Sequence, residues 1–177
     1  YLNDPWLLLE LADGRILVGN HASSAPSGVL HAFDLNGDHV AAFDDRDEDG
    51  TWLWSVYGCA SLMVHPTSGQ LWAGGVREKL NVFALDGAYD RSLYLPFGFS
   101  NFEASSLTPL TGSTTLVTDQ GGGSALDWDL VLMDPQGAAV GNGFAKNPEV
   151  GFQPASAARM PEGHVVMVGW ADKTPLM

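Results

Sequence analysis

Positive charge is scarce in this chain, as are cysteine and long apolar runs. Its 177 residues carry 8 Lys and Arg against 21 Asp and Glu, a formal net charge of −13. Phosphate binding needs a cationic face that releases counterions, so nucleic acid is not an expected partner, and an anionic membrane surface is disfavoured. A cation or a basic protein partner fits this balance better. The single cysteine, Cys59, allows no intrachain disulfide and no C-x-x-C metal or redox motif. It stands in the apolar run SVYGCASLMV, which predicts a buried structural thiol. No apolar run reaches the roughly 18 residues a spanning helix requires, so no membrane span is expected. None of the seven asparagines begins an N-x-S/T sequon. The chain begins at Tyr1 without a methionine, as expected of a processed chain or a piece of a longer one.

The residues that are present describe a folded all-β chain. Hydrophobic residues make up 45% and charged residues 16%, which argues against disorder. Clusters of Gly, Ser, Asn and Asp punctuate short apolar runs, as tight turns between strands require. No segment holds a 3.6-residue apolar period for ten residues without Gly or Pro, so helices are not expected.

Two patterns repeat. LLLELADGRILVGN, SLMVHPTSGQLWAGG, SSLTPLTGSTTLVTD and SAARMPEGHVVMVGW each place an apolar run, a turn glycine and a second apolar run in that order. The turn glycines are Gly14, Gly69, Gly112 and Gly163. Interleaved with these are VLHAFDLNGDHVAAF, LNVFALDGAYDRSLYL and LVLMDPQGAAVGNGF, with turn glycines Gly37, Gly87 and Gly137, each 50 residues apart. Asp34, Asp86 and Asp134 precede those glycines, where a carboxylate can accept backbone N–H bonds. Each unit therefore reads as four strands, A to D, of about 50 residues, the length of a β-propeller blade. The near-continuous runs RILVGN and HVVMVGW predict strands buried on both faces. The blades fall at about 5–43, 52–95, 103–144 and, in part, 155–177. Three complete blades and one partial blade predict a piece of a larger ring; a four-bladed ring or two associating half-rings are the alternatives.

The unit LADGRILVGN … VLHAFDLNGDHVAAF resembles the blades of the NHL, SMP-30/gluconolactonase and arylsulfotransferase-type propellers. The resemblance is to a blade that binders, scaffolds and enzymes share. Lactonases of that group hold a divalent metal at the channel mouth with Glu, Asn and Asp. On this chain the resemblance points to Asn20, Asn101, Glu103 and Asp119 at strand ends. The histidine and arginine of the sulfotransferase type would have to come from His21, Arg77 and Arg159, which are scattered.

The A–B and C–D turns are tight, while the B–C and D–A connections are longer and share one rim, where binding residues concentrate. On that rim DDRDEDGTW places Asp45, Asp47 and Asp49 before Gly50, the first half of an EF-hand calcium loop, with the Thr51 carbonyl as a further oxygen. Its second half departs from the pattern: Val56 stands where the bidentate Glu belongs. Trp52 and Trp54, two apart, share a strand face and predict either packing between blades or an aromatic platform near the rim. With Asn20, His21 and Asp119 they make up the candidate binding set. Trp72, Trp128 and Trp170 read as packing between blades. His31 and His39 fall on paired strands and should be neighbours. There is no G-x-S-x-G nucleophile elbow, and GGGS at 121–124 lacks the Lys-Ser/Thr of a phosphate loop.

These features predict, first, a non-enzymatic propeller scaffold, extracytoplasmic, with a protein partner or further subunits. A metal-dependent propeller hydrolase of the lactonase or esterase type is the second reading.

Overall fold

A computed structural model describes residues 5–20, 29–44, 46–53, 58–76, 79–95, 104–119, 130–140 and 152–171. The side chains of residues 75, 76, 105, 119, 152–155, 170 and 171 are outside that description.

Within it, antiparallel strands pair in sequence order. Sheet one is β1 (Pro5–Glu10), β2 (Ile16–Asn20), β3 (Leu30–Phe33) and β4 (His39–Ala42). Sheet two is β5 (Ser61–Val64), β6 (Leu71–Val76), β7 (Lys79–Phe83) and β8 (Tyr89–Tyr94). Sheet three contains β9 (Ala104–Pro109), β10 (Thr115–Asp119) and β11 (Leu130–Met133). Its expected fourth strand is described only where it starts, at the Met133–Ala139 bridge. Sheet four is the hairpin β12 (Phe152–Arg159) and β13 (Val165–Ala171).

The hairpins close through local chemistry. Asp34 Oδ1 accepts N–H bonds from Asn36 and Asp38, both 2.9 Å, and Asp134 Oδ1 accepts from Gln136 and Ala138 at 3.0 and 2.8 Å. These carboxylates close the C–D turns as expected. In sheet two the same position is Ala84, and Asp86 supplies a single bond to Ala88 N–H at 3.2 Å.

The sheets stack face to face, because alternate residues of an inner strand point to opposite neighbours. On β6, Leu71 and Ala73 join Leu17, Leu30 and Phe43 in the core between sheets one and two. Trp72, between them in sequence, joins Met63, Val82, Val117 and Met133 in the core between sheets two and three. A strand buried on both faces has no polar side to show, which is why these runs are continuously apolar.

Stacking is tightest at the first strands, where β1 meets β5, β5 meets β9 and β9 meets β12. Gly74 is required there: a Cβ at that position would lie 2.4 Å from Ser61 Oγ and 2.6 Å from Ala104 Cβ. Ser61 Oγ donates to Ala104 O at 2.7 Å across this junction. At the next junction Thr108 Oγ1 donates to Ala157 O at 2.9 Å, and Ala157 N–H donates to Ser106 Oγ at 3.2 Å. At the outer end, the C–D turns of sheets two and three dock on the end of the last strand of the preceding sheet. Asp44 N–H donates to Gly87 O at 3.1 Å, and Tyr89 N–H to Asp44 Oδ2 at 2.8 Å. Sheets stacked radially through their first strands form a β-propeller.

One strand differs from expectation. The run HVVMVGW predicts burial on both faces, but Val166, Met167 and Val168 of β13 are exposed. Val166 and Val168 share the face that meets no further sheet among the described residues, while Met167 between them points to the opposite face. Burial depends on a neighbour as well as on a strand's own sequence.

Candidate functional site

The long-loop rim begins where the second strand of each sheet ends. Asn20 closes β2 and Asp119 closes β10, equivalent places in sheets one and three. Asn20 is buried; its N–H donates to Val29 O at 2.7 Å and its carbonyl accepts from Cys59 N–H at 3.3 Å. The strand-end position thus ties the B–C connection to the entry of the next sheet. The Asp119 side chain lies outside the described residues, as do His21, Trp54, Asn101 and Glu103.

The acidic stretch folds as a turn of known kind. Asp47 and Gly50 have the D-x-x-G spacing of Asp34–Gly37 and Asp134–Gly137, and the same bonds. Gly50 N–H donates to Asp47 O at 2.9 Å and Asp47 N–H to Thr51 O at 3.0 Å. Asp47 Oδ1 accepts from Asp49 N–H at 3.1 Å and Thr51 N–H at 2.7 Å. Asp47 is thus a turn-closing carboxylate, with Oδ1 already taken by two donors. Asp49 and Thr51 are exposed beside it, and Asp45 lies outside the described residues.

This turn leans toward the outermost strand of sheet two. Asp47, Glu48 and Asp49 line an open cleft of about 280 Å³ with Tyr89, Arg91 and Tyr94 of β8. Asp90 on that strand accepts from Gln70 Nε2 at 2.9 Å and pairs with Arg91. Lys79, half-buried near Asp47, has its pKa lowered by desolvation, with the attraction of Asp47 opposing. The acidic turn and the strand ends at Asn20 and Asp119 are therefore separate places: one beside β8, the other on inner strands. Among the described residues, no three His, Cys, Asp or Glu side chains converge on a metal position.

Trp52 is 40% exposed, with the Arg46 guanidinium carbon 3.7 Å from its ring centroid. Arg46 Nη1 also donates to Gly50 O at 2.6 Å, so the cation braces the turn and covers the indole. The Trp52 ring is thus partly exposed and partly covered by Arg46. Trp72 is fully buried between sheets and stacks on His65 at 4.6 Å between ring centroids. Trp128 and the Trp170 side chain lie outside the described residues.

The remaining chemistry is structural. His31 Nδ1 and His39 Nε2 are 3.1 Å apart, neighbours as the paired strands predict. Burial pushes the Cys59 thiol up to about 12 and its Sγ contacts Ser61 O at 3.4 Å, so it stays protonated and inert. Sequence reasoning did not single out Asn81, which is fully buried. Its Nδ2 donates to Leu53 O at 2.6 Å and its Oδ1 accepts from Ser92 Oγ at 2.9 Å, fixing the D–A connection that carries the acidic turn. A lone polar residue within the apolar run LNVF was the available signal.

No protein-family model matches the chain, and no curated protein does. Solved structures match in fold. A gluconolactonase from Xanthomonas campestris superposes with a TM-score of 0.60 at 14% identity, over 95% of this chain and 55% of that one. Virginiamycin B lyase from Staphylococcus aureus gives 0.52 at 10% identity, over 97% of this chain and 71% of the lyase. The extracellular domain of a hybrid two-component system from B. thetaiotaomicron gives 0.56 at 15% identity, over 94% of this chain and 19% of that one. The chain thus spans little more than half of the gluconolactonase and a fifth of the extracellular domain. At these identities the likeness is one of fold, and the fold is the β-propeller.

Proposed function

We propose that this chain belongs to a metal-dependent propeller hydrolase of the lactonase or esterase type, working outside the cytoplasm. The observation that carries the reading is the similarity in fold to a gluconolactonase over 95% of the chain; Asn20 and Asp119 close equivalent strands beside it. Asn20 and Asp119 offer an amide and a carboxylate at equivalent positions, the hard oxygen ligands a divalent cation such as calcium prefers. A bound cation would polarise the substrate's carbonyl oxygen there. Asn20 holds its place through the backbone bonds to Val29 and Cys59, which orient the strand end toward the rim. The acidic turn supplies a second group of oxygens, from Asp45, Asp49 and the Thr51 carbonyl, for a calcium ion that supports the D–A connection. Similarity in fold to an extracellular domain supports the location.

The scaffold reading draws on the closely stacked sheets, but no rim feature among the described residues favours it over the hydrolase.

The test is hydrolysis of lactones and aryl esters by the intact chain after chelation and after addition of calcium, manganese or zinc. The reading predicts metal-restored hydrolysis that Asn20→Ala and Asp119→Asn reduce by at least about a hundredfold, as loss of metal ligands does. Asp49→Asn should leave turnover intact while abolishing a calcium-induced rise in melting temperature. No hydrolysis with any metal, and no metal effect on melting, contradicts the proposal.

A further inference from the structure

Three polar side chains meet where sheets two and three pack together. Equivalent register places can be compared at two junctions. Between sheets one and two they hold Leu11, Leu17 and Leu71, which pack in one apolar cluster. Between sheets two and three they hold His65, Trp72 and Thr115, all fully buried. Each leucine of the first junction is thus matched in the second by a residue with a hydrogen-bonding group.

Those groups are left over from the bonding within the sheets. His65 stacks on Trp72, and Ser68 N–H donates to His65 Nδ1 at 3.2 Å. With Nδ1 accepting, the proton of the neutral ring stands on Nε2. His65 Nε2, Trp72 Nε1 and Thr115 Oγ1 are buried and have no hydrogen-bond partner among the described residues. Two N–H donors and a hydroxyl therefore lie in an apolar core, where a bond left unmade is costly. The A–B turns of the two sheets meet beside them: Thr67 Oγ1 donates to Ser113 Oγ at 2.6 Å. The backbone of Ser113 favours a proton on the His65 ring, as a carbonyl facing it does.

We propose that one water molecule is built into this junction, held by His65, Trp72 and Thr115. Its oxygen accepts from His65 Nε2–H and Trp72 Nε1–H, and its hydrogens go to Thr115 Oγ1 and the Ser113 carbonyl. A buried water makes about three such bonds, so this set of groups is sufficient. Water suits the place better than an anion. The Ser113 carbonyl repels an anion, the His65 ring is neutral, and the chain carries a net charge of −13. The water joins two sheets at the A–B turns, away from the long-loop rim, and the inference is independent of the hydrolase reading.

The test is a high-resolution crystal structure, with bromide-soaked crystals alongside, together with the stability of Thr115→Val. One density peak should lie at hydrogen-bond distance from His65 Nε2, Trp72 Nε1 and Thr115 Oγ1, without anomalous signal from bromide. Valine keeps the shape of threonine and removes only the hydroxyl. With a water in place, Thr115→Val leaves one of its bonds unmade, and the folding equilibrium constant from urea denaturation should fall about tenfold. With an unpaired hydroxyl instead, the same change should raise it. Nitrogen-15 shifts of the His65 ring should report the Nε2–H tautomer at neutral pH. An absent peak, a bromide signal at the site, a Thr115→Val protein as stable as wild type or more so, or an Nδ1–H tautomer overturns the proposal.

Discussion

Gly137 lies against Leu93 so closely that a Cβ at the glycine would sit 2.7 Å from Leu93 Cδ2 and 2.9 Å from its Cβ. The contact is the docking of sheet three's C–D turn on the last strand of sheet two. Gly87 makes the corresponding contact with Ala42 and Phe43. Gly137→Ala therefore has two costs, a left-handed φ of 89° and an overpacked junction. Gly37→Ala has only the first, since its φ is 85° with open space around it. By urea denaturation, Gly137→Ala should be less stable than wild type by about 2–4 kcal/mol and Gly37→Ala by about 1 kcal/mol.

Asn81→Ala should destabilise the chain by about 1–3 kcal/mol, because it leaves the Leu53 carbonyl buried without its donor. Ser92→Ala removes only the bond to Asn81 Oδ1 and should cost less. Equal losses from the two changes in chemical denaturation would contradict the assignment of Asn81 as the anchor of the D–A connection.

The carboxylate of Asp34 has its pKa lowered, chiefly by the Asp38 N–H and then by those of Asn36 and Gly37, against desolvation. A depressed pKa means that the stabilisation is complete above the ordinary carboxylate range. It is lost as pH falls through the depressed folded-state value. Asp34→Asn should be less stable than wild type at neutral pH, and the gap should narrow as pH falls below the ordinary carboxylate range. Denaturation midpoints of both proteins across that range give the comparison.

His65 is held neutral by burial, which lowers its pKa while the backbone of Ser113 opposes. The unfolded chain takes up a proton as pH falls through about 6.5, where the folded chain does not. Stability should therefore be full above that value, decline below it, and level off once the folded-state pKa is passed. In the pH dependence of melting temperature, His65→Gln should remove this part of the decline. An unchanged profile would mean that His65 is not its source.

The strands and their turns were legible because turn chemistry is local: glycine with a carboxylate three residues before it specifies the same hairpin at Asp34 and Asp134. Cys59 was legible as an inert thiol from its apolar surroundings. The acidic stretch carries two overlapping signals. Alternation in D-x-D-x-D-G suggests a calcium loop, while D-x-x-G within it is the turn device used elsewhere in the chain. The bonds of Asp47 display the second, and whether a cation also binds is a matter of the oxygens left over. Less legible were features that depend on contacts distant in sequence. Nothing local distinguishes Val166 from Leu17, yet one is exposed and the other buried, because among the described residues only Leu17 has a sheet in front of it. Asn81 reaches a carbonyl 28 residues away, which no motif encodes.

The central claim is that successive sheets are joined by one repeated contact, in which a C–D turn docks on the strand before it. The most direct measurement is the double-mutant cycle of Gly137→Ala and Leu93→Ala. Removing the leucine side chain opens the space the new methyl group would enter. The account predicts that Gly137→Ala costs less in the Leu93→Ala background, with a coupling of about 1 kcal/mol or more. Strictly additive losses would contradict it.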